Sequence, residues 1–173
     1  RPVNQYTLND KFFMLKLFGG VEFIHRLGWV HRDIKPNNIM IKDNGSGQLT
    51  PVLIDFGLTE KSDVMPEIFG GSPGFIDMAV LFGGTSTSVK KSSDIYSLAI
   101  TLVCVLLKTT WPFELAASCW KEKPIPFGLG LRPDLPKRLG GQEIELISQM
   151  WRPEESRRPS IETVIERSKK ASC

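Results

Sequence analysis

Two short stretches constrain this chain more than anything else in it: His31-Arg32-Asp33-Ile34-Lys35-Pro36-Asn37-Asn38, and Asp55-Phe56-Gly57 further on. A carboxylate, a lysine and an amide side chain fall within six positions, from Asp33 to Asn38. A helix-like apolar stretch precedes them and a short strand-like run, Ile39-Met40-Ile41, follows. The second carboxylate, Asp55, ends another apolar run, Val52-Leu53-Ile54, and a glycine stands two residues beyond it. Such a set can accept a proton from a hydroxyl, screen a phosphoryl group and hold a divalent metal through oxygen ligands. Any one tripeptide of this kind recurs by chance. The two stretches in this order, each beside suitable local structure, are a far more specific signal.

The flanking pattern says how the motif is held. Residues 10–28 read as a helix, with Phe13, Leu17, Ile24 and Leu27 recurring at spacings near three and four. Thr7-Leu8-Asn9-Asp10 offers a capping pattern at its start, and Gly28 suits the left-handed turn after its last residue. Gly19-Gly20 weakens the middle by roughly 1 kcal/mol per glycine relative to alanine. Lys42 to Gly47, with its Asn-Gly and Ser-Gly pairs, has hairpin chemistry between the two strand-like runs. That hairpin is expected to bring Asn38 and Asp55 to neighbouring strand ends, although they lie 17 positions apart.

Composition excludes several classes of function. The 173 residues, 41% hydrophobic and 24% charged, suit one domain with a substantial core. A net charge of +3, evenly spread, gives no reason to expect nucleic acid or a membrane surface as partner. Cys104, Cys119 and Cys173 lack metal-like spacing and fit a reducing compartment, so the expected location is intracellular, cytoplasmic or nuclear. No signal-peptide pattern occupies residues 1–10. The apolar stretch Ile95 to Leu107 has 13 residues, interrupted by Ser97 and Thr101, against about 20 needed to span a bilayer. It is expected to be a core helix.

Taken together, the motifs resemble the catalytic loop and metal-binding loop of eukaryotic protein kinases, down to the lysine-proline pair after the aspartate. The resemblance implies that Asp33 is the base that orients and accepts the substrate hydroxyl proton, and that Lys35 neutralises the transferred phosphoryl group. Asn38 and Asp55 would be the metal ligands, and Lys35, Asn38 and Asp55 would together engage ATP and Mg2+. The lysine at 35 is similar to serine/threonine rather than tyrosine kinases. His31 is read as a packing histidine, and Arg32 matches the arginine that pairs with an activation-segment phosphate.

Further matches follow downstream. Gly71-Ser72-Pro73-Gly74-Phe75 resembles the segment that supports the substrate residue after the phosphoacceptor, with Ser72 bonded to Asp33 and Lys35. Ser93 to Leu98 opens a helix like the central one of a kinase C-lobe, whose aspartate, here Asp94, ties the catalytic-loop backbone. Trp111-Pro112-Phe113 resembles the turn after it, and Pro124 to Arg138 reads as an irregular loop. Glu143 to Trp151 and Ser160 to Ser168 read as two last helices, Ser160 capping the second.

The implied fold is mainly α with a small β-hairpin, a protein-kinase-like C-terminal lobe over residues 1–173. No glycine-rich phosphate loop, Val-Ala-Ile-Lys-like lysine or partner glutamate is found, so the nucleotide-binding N-lobe is expected as a missing partner in cis. The implied activity is ATP-dependent phosphorylation of protein hydroxyls, with a protein as substrate. The alternatives are a pseudokinase-like interaction module and a small-molecule phosphotransferase.

Two departures from the family pattern matter. Asp77-Met78-Ala79 stands where the family has Ala-Pro-Glu, so the acid that pairs with the arginine matched by Arg158 is lost. Asp77 is the expected replacement, with Glu154 or Glu155 as the acids near Arg158 in sequence. Met65 to Phe69 holds no hydroxyl. Either Glu67 serves there as a fixed negative charge for Arg32 or it is a solvated loop residue; Thr59 and Ser62 are the other candidate phosphosites.

Overall fold

The computed structural model describes residues 10–43, 45, 49–83, 86–109, 135 and 139–171. Helix α1 (Asp10–Arg26) leads into a short strand β1 (Trp29–Val30). A single 3-10 turn (Pro36–Asn38) then opens a hairpin of β2 (Ile39–Asp43) and β3 (Leu49–Leu53). Strand β4 (Glu60–Lys61) and helix α2 (Met78–Gly83) precede the central helix α3 (Lys91–Leu107). A 3-10 turn (Glu155–Arg157) separates α4 (Gly141–Met150) from α5 (Ile161–Lys170). The described part is largely helical with small antiparallel pairs, β1 on β4 and β2 on β3.

Helix α1 buries Phe13, Met14, Leu17, Phe18, Val21 and Ile24 against α3, α5 and β3. A fully buried chain of this kind contributes about 1.5–3 kcal/mol, which offsets the weakening by Gly19-Gly20. The helix stops at Arg26, before Gly28 at φ +80°, and Leu27 is 61% exposed rather than part of the buried stripe. The chain is already leaving the helix axis at Leu27, so helical spacing no longer determines where its side chain points. The proposed cap at 7–9 lies outside the described residues.

The hairpin registers Ile39 with Leu53 and Asp43 with Leu49. Both strands are longer than the apolar runs suggested, and Ile54 lies outside β3. Pro51 sits opposite Ile41, which is tolerated because each strand of a two-stranded pair has a free edge. At the turn, Gly45 takes φ +76°; the other tip residues lie outside the description.

Helix α3 is buried nearly all round, as an apolar run interrupted only by Ser97 and Thr101 implies, and ends on Lys108 in the left-handed region. Among the described residues no helix is long and apolar enough to cross a membrane. Ser160 caps α5 by accepting the Thr163 amide at 3.4 Å. The readings at Trp111-Pro112-Phe113 and Pro124 to Arg138 fall on residues outside the description, Leu135 excepted.

Candidate active site

The loop between β1 and β2 is held from below by one buried carboxylate. Asp94, in the first turn of α3, accepts the His31 amide at 2.8 Å and the Arg32 amide at 2.9 Å, plus His25 Nε2 at 2.9 Å. A charge with no solvent exposure is tolerable when such donors surround it. They also hold Arg32 at φ +69°, a conformation a side chain disfavours. His31 is fully buried. Its Nδ1 accepts the Asp33 amide at 3.3 Å, so Nε2 carries the proton donated to the Ile54 carbonyl at 3.1 Å. Its ring lies 5.1 Å from that of Phe56.

Thus anchored, the loop presents a closed polar cluster. Lys35 Nζ donates to Asp33 Oδ2 at 2.8 Å and to Ser72 Oγ at 2.6 Å, and Ser72 in turn donates to Asp33 Oδ1 at 2.7 Å. Asn38 Nδ2 donates to both the carbonyl and Oδ2 of Asp33, at 2.8 and 2.9 Å. Burial is the largest single influence on the Asp33 carboxyl and opposes its charge. The bonds from Lys35, Ser72 and Asn38, with the Lys35 charge, together outweigh it and hold the group below the usual carboxylate range. Asp33 is therefore ionised at neutral pH, and its oxygens can act only as acceptors.

Asp55 stands at the other side of this loop. The Ile54 amide donates to the Asn38 carbonyl at 3.0 Å, which puts Asn38 and Asp55 at adjoining strand ends as the hairpin reading required. Asp55 has φ +63° and is exposed, and among the described residues its carboxylate accepts only the Gly57 amide, at 3.4 Å. Asn38 spends its NH2 on Asp33, leaving the amide oxygen for another partner. One carboxylate and one amide oxygen suit a hard divalent cation that takes its remaining ligands from phosphates and water. The donor set fits Mg2+.

Two arginines hold the downstream segment, Arg32 from the loop itself and Arg158 from the stretch before α5. Arg32 donates to the Leu58 carbonyl at 3.2 Å and to the Ile68 carbonyl at 2.6 Å. Burial lowers its pKa, opposed by the charges of Glu60 and then Asp94. Glu67 is exposed and the Arg32 guanidinium is bonded to the Leu58 and Ile68 carbonyls, so the geometry favours the solvated-loop reading of Glu67 over the fixed-charge one.

Arg158 uses every N–H it has: on both oxygens of Asp77, and on the carbonyls of Arg152, Ser92 and Pro153. It also lies over the Tyr96 ring, 4.9 Å from the centroid. Asp77 thus replaces the missing acid. It also accepts the Ala79 amide at 3.1 Å, capping α2, and the Ser93 hydroxyl at 3.1 Å.

Asp33, Lys35 and Asn38 come together with Ser72 as the motif implies, whereas the Asp55 side chain stands apart from them. Sequence reasoning missed three supports: His25 on Asp94, Thr101 on the Ile34 carbonyl at 3.2 Å, and Ser97 on the Phe75 carbonyl at 2.7 Å. The signal for the last two was present. Hydroxyls in a helix buried on all sides need partners.

Comparison with known proteins agrees with this geometry. A family model described as protein kinase domain matches residues 6–168. The chain is 42% identical over 95 residues to serine/threonine-protein kinase PknK of Mycobacterium bovis, covering 53% of this chain and 8% of that protein. It is 30% identical over 166 residues to the ovarian-specific serine/threonine-protein kinase Lok of Drosophila melanogaster, covering 92% of this chain and 34% of that protein. Wee1-like protein kinase 1-A of Xenopus laevis is 29% identical over 174 residues, 91% of this chain and 29% of that protein. The chain therefore spans about a third or less of these relatives' length.

Proposed function

Since the chain belongs to the eukaryotic-type protein kinase family, we propose that it is the catalytic and substrate-binding C-lobe of a serine/threonine protein kinase. The reading rests on one observation above the rest: Asp33 is ionised and bonded at once to Lys35, Ser72 and Asn38. A carboxylate so held cannot swing, and Oδ1, which among the described residues accepts only from Ser72, keeps lone-pair capacity for a substrate hydroxyl. Asp33 accepts that proton as the hydroxyl oxygen attacks the γ-phosphorus of ATP, the bond from that phosphorus to the β–γ bridging oxygen breaks, and ADP leaves with the electron pair. With its pKa depressed, Asp33 orients the hydroxyl early and takes the proton late. Lys35 offsets charge on the transferred phosphoryl group, and Ser72 holds both side chains in place.

Asn38 and Asp55 would hold Mg2+, which when bound neutralises charge on the phosphates. ATP is the phosphoryl donor and a protein hydroxyl the acceptor. An N-lobe in cis would supply the glycine-rich loop and lysine over the phosphates. The exposed apolar side chains of Val52, Ile54 and Phe56, flanking Asp55, support such a cover. The loss of the family glutamate at Ala79 no longer favours a module without catalysis, because Asp77 holds Arg158.

The test is transfer of labelled γ-phosphate from ATP to a protein substrate by the intact protein, with identification of the modified residue. Phosphoserine or phosphothreonine that disappears in Asp33→Asn is the expected result. No transfer under any metal condition would sink the reading, and phosphotyrosine alone would overturn the serine/threonine assignment.

A further inference from the structure

The segment from Leu58 to Gly71 is tied to the rest of the domain by side-chain and backbone hydrogen bonds. Arg32 holds its two ends through the Leu58 and Ile68 carbonyls. Gly70 permits this closeness, since a methyl there would come within 3.0 Å of Leu58 and 3.3 Å of the Arg32 guanidinium. Its middle is tied to the strand-like stretch before α3. The Asp63 amide donates to the Val89 carbonyl at 2.7 Å, and the Val89 amide donates to the Val64 carbonyl at 2.8 Å.

Asp63 makes this pairing at φ +66°, a conformation that costs a non-glycine residue free energy and therefore needs support. The support is visible. Lys90 Nζ donates to Asp63 Oδ1 at 2.8 Å, and the Ser62 hydroxyl donates to Oδ2 at 2.7 Å. Lys90 first, then Ser62, holds the Asp63 carboxyl below its ordinary range, and Asp63 raises Lys90. Thr59 and Ser62 are the segment's only hydroxyl-bearing residues, and Ser62 spends its hydroxyl on Asp63.

We propose that Asp63 and Lys90 are positioning residues, which clamp this segment so that Ser72 meets Asp33 and Lys35 without prior phosphorylation of the segment. The clamp rests on the kinase reading for its consequence, though not for its existence. Being solvent-exposed, the ion pair is weak on its own. Its effect comes from selecting the one backbone conformation at Asp63 that aligns both amide bonds with Val89. Loosening it lets residues 64–70 drift, and Ser72 at the end of that stretch moves with them.

The experiment uses the intact protein after phosphatase treatment, with Lys90→Gln, Asp63→Asn and Lys90→Arg. Amide exchange is followed over residues 63–70, and kinetics are measured separately for protein substrate and for ATP. The untreated and treated wild-type proteins should be equally active. Lys90→Gln and Asp63→Asn should each speed exchange and lower kcat/KM for the protein substrate by about fivefold, the scale of an exposed pair. KM for ATP should stay unchanged, and Lys90→Arg should restore both readouts. Activity lost on phosphatase treatment would overturn the proposal. So would unchanged exchange in the two neutral variants, or equal losses towards both substrates. A wild-type protein inactive with ATP would overturn the kinase reading instead, while the exchange comparison would still decide the clamp.

Discussion

Asp77 and Arg158 face each other across 81 positions of sequence, both side chains at 0% exposure, in a two-point ion pair at the base of α2. The pair sits where Ala79 leaves the family's acid missing, and it fastens the segment leading into α2 to the segment before α5. Asp77 serves three partners at once, the Arg158 guanidinium, the Ala79 amide and the Ser93 hydroxyl.

Removing one partner strands the other in a place water does not reach. Asp77→Ala and Arg158→Ala should each cost about 3–5 kcal/mol, against a whole-domain stability of roughly 5–15 kcal/mol. In a double-mutant cycle by urea unfolding, the two should couple by more than about 1 kcal/mol. Additive losses would show that the tie carries no energy of its own.

Asp94 supports the catalytic loop through three donors, so its loss should be felt in both stability and rate. Asp94→Ala leaves the His31 and Arg32 amides and His25 Nε2 without an acceptor, at about 1–3 kcal/mol for each buried group stranded. His25→Ala strands only Asp94's third bond and should cost less. Denaturant midpoints that ranked His25→Ala as the worse variant would contradict this scaffold.

On the proposed reading, Asp33→Asn and Asp55→Asn should both abolish transfer, for different reasons. The first removes the proton acceptor, a contribution of about 10²–10⁴-fold. The second removes a charged oxygen ligand. Raising Mg2+ should partly rescue Asp55→Asn and leave Asp33→Asn unchanged. Equal rescue of the two would mean that their roles are misassigned.

Acid should erode the catalytic cluster in a defined direction. The Asp33 carboxyl is depressed in the fold, so the stability it adds is fully present above the unfolded value near 3.9 and is lost as pH falls through the folded value. The stability gap between wild type and Asp33→Asn should therefore be constant above about pH 5 and narrow below about pH 4. Unfolding curves over that range measure it. A gap that widened on acidification would reverse the sign of the shift.

How much of this was written in the chain depends on distance along it. Asp33, Lys35 and Asn38 fall within one loop, and the hairpin that brings Asn38 beside Asp55 closes through residues whose turn preference is local. The buried stripe of α1 and the all-round burial of α3 follow from side-chain period and from a long, mostly apolar run. For such features the backbone's own geometry converts sequence spacing into spatial neighbourhood.

Leu27, at the edge of its helix, shows where that conversion stops, and so does β1 pairing with β4, whose two-residue strands carry no readable period. Family likeness supplied Ser72 on Asp33 and Asp94 under the loop, and it marked Arg158 as a group in need of an acid. From that mark the sequence names Asp77, ahead of the sequence-adjacent Glu154 and Glu155, and the fold gives Arg158 that partner. The bonds of Lys90 to Asp63 and of His25 to Asp94 were decided only when the helices and loops packed together. Burial left each polar group the partners within reach, and reach in a folded chain is set by packing rather than by position in the sequence.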